Sequence, residues 1–285
     1  MLILPAQKAH SSIIDREADI MDLGINNRVA IITGAKGGLG LAAARELARE
    51  GVRLVLSDMD IEQLEKDTEL MKGEVICHKA DITQQKDVDA LAKAAIERFG
   101  TIDMVIHTAG ITGEKGHPLE MKDDDYEDTW QINFMSAVRV ARATFPTMRE
   151  KGWGRFVCIT SENAVQPYWD EAVYNVSKAA LATFVKNLAY GEAENGILCN
   201  TVSPAFIESP MTNGMMEKRS SENSCSFDEA VESFLEEERP GIKLKRRGQP
   251  EEVAAAIALV VSERGSFISG SNIRVDGGAV MSVQN

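Results

Sequence analysis

A tyrosine and a lysine four positions apart form the clearest chemical pattern in the chain. Tyr174 and Lys178 stand at i and i+4, so a helix would place both side chains on one face. A free phenol titrates at about 10, too high for a general base at neutral pH, but a neighbouring ammonium lowers that pKa. Ser161 lies upstream, just after an apolar run, and offers a hydroxyl that can hold a substrate carbonyl while Tyr174 transfers a proton.

A glycine-rich run at 33–40 is suited to binding phosphate. Gly34, Gly38 and Gly40 lie between an apolar run and an amphipathic one. They permit a tight turn, close approach of the backbone to a pyrophosphate, and close contact between a helix and a strand. The N-terminus of the following helix offers unpaired N–H groups to the phosphates. The run predicts a dinucleotide-binding loop, and a glycine-rich turn without a ligand is the alternative.

Asp58, at the end of the second apolar run, predicts which dinucleotide binds. A carboxylate there accepts hydrogen bonds from both ribose hydroxyls of the adenosine and repels a 2′-phosphate. Gly37 brings no basic side chain to the phosphate loop, and Lys36 is the one nearby cation. We therefore expect NAD as the cofactor, with NADP the less favoured alternative because of Lys36.

The elements that must position these residues follow a regular alternation. Short apolar runs rich in Val and Ile predict buried parallel strands: 29–32, 52–56, 75–77, 104–106, 156–159, 198–202 and 273–275. Amphipathic stretches between them predict helices: 39–50, 61–71, 86–98, 126–150, 173–194 and 251–262. The alternation predicts an α/β fold, a Rossmann-type doubly wound parallel sheet of about seven strands, in three layers and a single domain.

Two stretches fall outside the alternation. Residues 1–25 are expected to form an N-terminal extension to a single dinucleotide-binding catalytic domain at 26–285. Residues 209–248 are polar and acidic, and the spacing of Val231, Phe234 and Leu235 predicts a short amphipathic helix there. Their place beyond the carboxyl end of a late strand favours an insertion that forms a lid over the active site. A solvated surface excursion is the alternative.

Composition and charge exclude several classes of function. The 285 residues are 44% apolar and 26% charged, an ordinary globular composition. A net charge of −13 argues against nucleic acid and anionic membranes as partners. Apolar runs are too short for a membrane-spanning helix, and the N-terminus does not resemble a signal peptide. The four cysteines and four histidines are scattered, so we expect no metal site, reduced thiols and a cytoplasmic protein.

Together these motifs resemble the short-chain dehydrogenase/reductase superfamily, in the branch with TGxxxGxG and YxxxK motifs. The resemblance covers residues 28–281. Beyond the loop at 33–40 it rests on Asp81-Ile82, Ala109-Gly110, Asn133, Ser161, Tyr174, Lys178, Asn200, Pro204, the helix start at 247–253 and Asp276-Gly277-Gly278.

The resemblance implies an NAD(P)-dependent oxidoreductase acting on CH–OH groups. Tyr174 would be the general acid and base, and Ser161 would polarise the carbonyl or alkoxide. Lys178 would lower the pKa of Tyr174 and bind the nicotinamide ribose, and Asn133 would hold a water in the proton relay. With the loop and Asp58, the expected cofactor-binding set is Gly34, Lys36, Gly37, Gly38, Leu39, Gly40, Asp58, Met59, Asp81, Ile82, Thr108, Ala109, Gly110, Tyr174, Lys178, Pro204, Ala205, Ile207 and Ser209.

Three positions depart from the family pattern. The usual Asn-Asn before Ala109 is His107-Thr108 here, which puts a hydroxyl where an amide is common. Ala205 stands for a glycine after Pro204, and Ser209 stands for a threonine that contacts the carboxamide. None of these changes removes a reacting group.

The main functional hypothesis is interconversion of a secondary alcohol and a ketone on a small free substrate, a ring alcohol, a polyol or a sugar-like molecule. The expected pocket walls mix aromatic and polar groups: Glu162, Asn163, Tyr168, Trp169, His117 and Met211. One alternative is a 3-oxoacyl-[acyl-carrier-protein] reductase that uses NADPH. A remote alternative is a non-catalytic dinucleotide-binding regulator.

The charge distribution argues against an acyl-carrier substrate, because the acidic carrier needs a basic patch beside the site. Carrier-dependent members of the family have arginines where this chain has Gly152 and Asn195. The acidic residues at 209–248 would also repel the carrier. Cations that could still form a patch are Arg149, Lys151, Arg155 and those at 243–247.

Assembly is expected from the helices at 126–150 and 173–194, whose apolar residues occupy more than one face. Examples are Phe134, Val138, Phe145, Phe184 and Leu188. In resembling enzymes these helices pair across a two-fold axis, so we expect a homodimer or homotetramer. A monomer with scattered surface apolar groups is the alternative.

Overall fold

A computed structural model describes residues 22–283, and the rest of the predicted N-terminal extension lies outside these residues. The described start of the chain packs on the domain. Ile25 is buried, and the carbonyl of Leu23 accepts a hydrogen bond from the N–H of Glu263.

Seven strands within the described residues form one parallel sheet in the order β3-β2-β1-β4-β5-β6-β7. They are β1 Val29–Thr33, β2 Arg53–Asp58, β3 Val75–Lys79, β4 Met104–His107, β5 Gly154–Ile159, β6 Ile197–Pro204 and β7 Asn272–Val275. The strand order reverses between β1 and β4, which opens a crevice at the carboxyl edge of the sheet. The predicted Rossmann-type sheet is confirmed, and all seven apolar runs lie within strands apart from Val52 at the edge of β2.

Nine α-helices lie between and after the strands in this part of the chain. They are α1 Gly38–Arg49, α2 Ile61–Thr68, α3 Gln85–Phe99, α4 Asp123–Trp130, α5 Ser136–Lys151, α6 Ala172–Glu192, α7 Pro210–Asn223, α8 Phe227–Glu237 and α9 Pro250–Val261. None of the helices within residues 22–283 is long and apolar enough to cross a lipid bilayer.

The helices cover both faces of the sheet, which gives the three layers that the alternation predicts. Neighbouring residues of β1 point to opposite faces, so Ile31 joins a core with α3, α5 and α6. Ala30 and Ile32 join a second core with α1, α2 and α9. Burial on both faces explains why the strands read as continuous apolar runs.

The stretch predicted as one helix at 126–150 is divided in the structure. A π-helical turn, Gln131–Met135, separates α4 from α5. Within this turn the side chain of Asn133 donates to the carbonyl of Ile111 at 2.9 Å and accepts from its N–H at 2.8 Å. A wider turn of this kind is frequent at functional sites.

Residues 209–248, called the 209–248 segment below, form two helices where the spacing predicts one. Ser209 caps α7 and Ser226 caps α8, each by accepting a hydrogen bond from the N–H three residues on. The two helices pack over a third, smaller apolar cluster: Phe206, Met216, Phe234, Leu235, Ile242 and Ala279.

Candidate active site

A cavity of about 590 Å³ opens at the carboxyl edge of the sheet. The structure brings to it every residue of the expected cofactor-binding set except Lys36, together with Ser161. The pocket walls expected from sequence are only partly correct. Glu162, Asn163 and Met211 line this cavity, whereas Tyr168, Trp169 and His117 do not.

The glycine loop between β1 and α1 is shaped so that larger residues do not fit. Gly34 has a φ of +66°, and a Cβ there would lie 2.6 Å from the Cα of Ala109. A Cβ at Gly40 would lie 2.6 Å from the carbonyl oxygen of Gly34. The loop therefore brings bare backbone and the N-terminus of α1 to the cavity, a site suited to phosphate.

Asp58, the last residue of β2, lies beside the glycine loop, where backbone groups hold its carboxylate. Oδ2 accepts from the N–H of Lys36 at 3.1 Å, and Oδ1 accepts from the N–H of Met59 at 2.8 Å. The ammonium of Lys36 instead pairs with Asp60 at 2.6 Å. The cation that complicates the choice of dinucleotide is thus already engaged by a carboxylate.

The departures at 107 and 108 have structural roles. The hydroxyl of Thr108 donates to the carbonyl of Thr33 at 2.7 Å, so it ties the end of β4 to the end of β1. His107 lies beneath it, 2.8 Å from the hydroxyl of Thr33 and 3.0 Å from that of Ser136. Burial, aided by the charge of Lys178, lowers the pKa of His107 to about 3, so its ring is neutral.

Tyr174 and Lys178 lie in the first turns of α6, and Ser161 lies just after β5. Burial raises the pKa of Tyr174 and the negative charge of Glu162 raises it further, while a hydrogen bond with Ser161 opposes them. The sequence predicts a lowered pKa for the Tyr174 phenol. In the protein without a cofactor that pKa is raised instead, because removal of the phenol from water is the largest effect. A protonated phenol is suited to donate a proton.

Lys178 is buried, and no carboxylate within residues 22–283 forms an ion pair with it. Its ammonium donates to the carbonyl of Ile159 at 2.8 Å. Burial lowers the pKa of Lys178 to about 8. Gly110 makes room for it, since a Cβ at that position would lie 3.2 Å from Nζ.

Asn133 lies behind the cavity wall rather than on it. In addition to the two bonds with Ile111, its amide donates to the hydroxyl of Ser177 at 2.9 Å. The side chain thus holds the loop after β4 against α6. Ile111 itself lines the cavity.

Sequence reasoning missed a buried polar cluster beside Ser161. The carboxylate of Glu171 accepts hydrogen bonds from Lys115 at 2.5 Å, from Arg239 at 2.7 Å and from Asn163 at 2.7 Å. Burial opposes the charge of Glu171, but Arg239 and Lys115 outweigh it and lower the pKa of that carboxyl. Glu171 stands three residues before Tyr174, and this short spacing could have indicated that it lies near the site. No local pattern indicates Arg239.

Arg239 follows α8 and brings the 209–248 segment to the polar side chains beside Ser161. Its guanidinium stacks 3.5 Å from the ring centre of Tyr168. Ser161 donates to Glu162 at 2.7 Å. Burial raises the pKa of Glu162 to about 7, although Ser161 and Arg239 oppose the shift.

Comparison with known proteins shows similarity to dehydrogenases and reductases over almost the whole chain. A family model described as enoyl-(acyl carrier protein) reductase matches residues 34–280. The 2,3-dihydro-2,3-dihydroxybenzoate dehydrogenase of Bacillus subtilis is 31% identical over 91% of this chain and 98% of that protein.

Two solved structures extend the similarity to three dimensions. L-sorbose reductase from Gluconobacter frateurii, complexed with NADPH and L-sorbose, is 33% identical and has a TM-score of 0.87 over 92% of this chain and 100% of that one. The 3-ketoacyl-(acyl-carrier-protein) reductase from Brucella melitensis, complexed with NADH, is 26% identical and has a TM-score of 0.79 over 90% of this chain and 99% of that one.

Proposed function

The chain belongs to the short-chain dehydrogenase/reductase superfamily and is an oxidoreductase that acts on CH–OH groups with a nicotinamide dinucleotide. We propose that it interconverts a secondary alcohol and a ketone on a small free substrate, using NAD(H). The observation that carries the proposal is one cavity lined by Ser161, Tyr174, Lys178 and the glycine loop. Catalysis of this type needs the cofactor within reach of the reacting carbon and the proton-transfer group within reach of its oxygen.

The residues present fit a dinucleotide. The loop at 34–40 offers a backbone cradle that a Cβ would fill, and the N-terminus of α1 would face the pyrophosphate. Asp58 would bind the adenosine ribose, and Asp81 and Ile82 would lie beside the adenine. Pro204, Ala205, the backbone of Ile207 and Ser209 would border the nicotinamide. When bound, the dinucleotide supplies or accepts the hydride.

Proton transfer would belong to the residues around Ser161. Tyr174 would donate its proton to a carbonyl oxygen. The hydroxyl of Ser161, which donates to Glu162 in the free protein, would turn to donate its one hydrogen bond to the same substrate oxygen. Lys178, with a pKa lowered to about 8, would bind the nicotinamide ribose and favour the phenolate left after transfer. Because the amide of Asn133 is engaged, a relay water would bind its backbone carbonyl in the π-helical turn.

The choice of NAD over NADP is supported by the Asp58 carboxylate and by the pairing of Lys36 with Asp60. The 2′-phosphate of NADP would be repelled by the carboxylate of Asp58. Lys36, which could attract it, is already paired with Asp60. Among the similar structures, L-sorbose reductase holds NADPH and the Brucella reductase holds NADH.

A small free substrate is supported by the polar side chains that line the cavity beside Ser161. It is also supported by two similar proteins, one named for a dihydroxybenzoate derivative and one complexed with L-sorbose. The alternative, a 3-oxoacyl-[acyl-carrier-protein] reductase using NADPH, has the Brucella reductase in its favour. The 209–248 segment would act as a lid, because Met211, Met215, Phe234 and Arg239 reach the cavity from it.

Assembly as a homodimer or homotetramer is supported by the outer faces of α4 and α6. Trp130, Val173 and Val176 border a shallow groove there, and Val176 is 52% exposed. The apolar side chains named from sequence lie deeper than expected. Phe145 is buried, and Phe134 meets Phe184 edge-on at 5.8 Å against the core.

The test is reduction of NAD⁺ and NADP⁺ against a panel of ring alcohols, polyols and sugars. Turnover of a free secondary alcohol, faster with NAD⁺, is the expected result. A chain that binds NADH tightly but turns over no alcohol or ketone would instead be the dinucleotide-binding regulator.

A further inference from the structure

Two charged side chains face each other across a gap beside Ser161. Nε of Arg239 lies 3.9 Å from Oε1 of Glu162, and the two side chains are only 8% and 4% exposed. This distance is too long for a hydrogen bond. Both residues line the cavity that holds Ser161 and Tyr174.

The other polar atoms of this pair have partners. Oε2 of Glu162 accepts from Ser161 at 2.7 Å. Nη2 of Arg239 donates to Glu171 at 2.7 Å, and Nη1 donates to the carbonyl of Glu238 at 3.0 Å. Nε and Oε1 are reached from the cavity and are not fully enclosed, so a substrate oxygen can take the place of water on both atoms. A hydroxyl both donates and accepts, so one oxygen placed between Nε and Oε1 would satisfy both.

We propose that this gap is a hydroxyl-binding subsite and that the substrate is a vicinal diol or the corresponding α-hydroxy ketone. The inference rests on the proposed function, since it takes the reacting oxygen to contact Ser161 and Tyr174. The carboxyl of Glu162 lies one hydrogen bond from the hydroxyl of Ser161. This short separation suits two oxygens on adjacent carbons, one held by Ser161 and the other by Glu162 and Arg239.

The charges around the subsite favour a neutral substrate. Arg239 and Lys115 bring two positive charges, and Glu162 and Glu171 bring two carboxyls. Glu171 is bound by both cations, so an anionic group on the substrate would compete with a carboxylate already in place. A neutral hydroxyl needs no such displacement.

The test compares substrates that differ only at the second oxygen. Wild-type protein is assayed with NAD⁺ and with cis-cyclohexane-1,2-diol, cyclohexanol and cis-2-methoxycyclohexanol. We expect kcat/KM for the diol to exceed that for cyclohexanol by about 10- to 100-fold, the effect of leaving buried polar partners unsatisfied. The methyl ether can accept from Arg239 but cannot donate to Glu162, so it is expected to react like cyclohexanol.

Two variants test whether the preference for the diol depends on the carboxyl of Glu162. Glu162→Met keeps the length of the side chain and removes the acceptor, so the ratio of diol to cyclohexanol should fall to within about threefold of one, because the buried hydrogen bond is lost. Binding of NADH, followed by fluorescence, shows that this variant is folded whatever its rate with cyclohexanol. Glu236→Gln, on the exposed side of α8, is the matched control and should keep the wild-type ratio.

The outcomes separate the two proposals. A wild-type enzyme that oxidises cyclohexanol and the diol equally well overturns the subsite, because the gap then binds only water, and leaves the proposed function in place. A diol preference that survives in Glu162→Met also overturns it. If no alcohol of the wider panel is oxidised with either dinucleotide, the proposed function itself fails.

Discussion

Arg149, in the last turn of α5, donates two hydrogen bonds to Glu192 at the end of α6, from Nε at 2.9 Å and from Nη2 at 2.5 Å. Two other cations near β5 are similarly engaged, since Lys151 pairs with Asp103 and Arg155 lies 3.7 Å from Glu263. The sequence alone leaves these three cations, and those at 243–247, as a docking patch for an acidic carrier. The structure shows Arg149, Lys151 and Arg155 each facing a carboxylate, and Arg246 of the second group paired with Glu252.

We therefore predict that the enzyme acts poorly on acyl groups attached to acyl carrier protein. Acetoacetyl-carrier protein should have a lower kcat/KM than small ring or polyol substrates under identical conditions, because the carrier meets few free cations and many acidic groups. Steady-state kinetics at several salt concentrations provide the check. A carrier substrate with the higher kcat/KM, and an advantage that disappears as salt rises, would contradict the prediction.

Tyr174→Phe is predicted to abolish turnover while NADH binding stays nearly intact. The change removes the transferable proton and little of the cavity surface, so kcat should fall by about 10²- to 10⁴-fold. NADH fluorescence titration measures binding separately. Tyr190→Phe, on the exposed part of the same helix, is the control. If Tyr174→Phe keeps more than about a tenth of wild-type kcat, Tyr174 is not the acid.

Asp58→Ala is predicted to weaken the preference for NAD(H). Without the carboxylate a 2′-phosphate is no longer repelled, and Lys36 remains close by, so the ratio of kcat/KM for NADH to that for NADPH should fall. Glu62→Gln, exposed on α2, should leave the ratio unchanged. Equal kcat/KM for the two dinucleotides in the wild type would remove the basis of this prediction.

Glu162 is predicted to make stability depend on pH. Its folded-state pKa of about 7 lies above its ordinary value of 4.5, so the folded chain binds this proton more tightly than the unfolded chain. The resulting stabilisation is complete below about pH 4.5 and is lost as the pH rises through about 7. Relative to Glu162→Gln, which stays neutral, the wild type should lose up to about 3 kcal/mol of unfolding free energy over this window.

Urea unfolding of both proteins from about pH 5 to 8 measures this difference. His107 titrates in both and cancels in the comparison, and Lys178 contributes only above about pH 8. Parallel stability curves for the two proteins would show that the carboxyl of Glu162 is ionised throughout.

Val176→Glu is predicted to dissociate the assembly. Val176 is half exposed on α6, and a carboxylate there would have to be buried without a partner between two copies of the chain. Light scattering at micromolar concentration should give a dimer or tetramer for the wild type and a smaller mass for the variant. A monomeric wild type would refute the proposed oligomer.

The sheet and the glycine loop could be predicted from sequence because each depends on short-range pattern. Residues of strands that are covered on both faces of the sheet must be apolar. The loop needs glycine at 34, where a Cβ would collide with Ala109, and at 40, where a Cβ would collide with the carbonyl oxygen of Gly34. The π-helical turn could not be predicted. It occurs where Asn133 pairs with Ile111, and these residues lie 22 positions apart in helix and loop.

The polar cluster could not be predicted for a similar reason. Arg239 and Glu171 are 68 residues apart, and they meet only because α7 and α8 fold back over the cavity. The sequence of the 209–248 segment is dominated by exposed acidic residues. A single buried arginine at its far end therefore does not stand out by composition or spacing.

Because the third apolar cluster is separate, the part of the protein that contains it can unfold locally without global unfolding. Phe206, Met216 and Phe234 pack apart from the two cores that flank the sheet. Such a unit can open while those cores stay intact, with a free energy below that of the whole domain. Its opening would separate Arg239 from Glu171 and admit water to the cavity. Amide protons of α7 and α8 should therefore exchange earlier than those of the central strands, and a ligand that bridges Glu162 and Arg239 should slow that exchange.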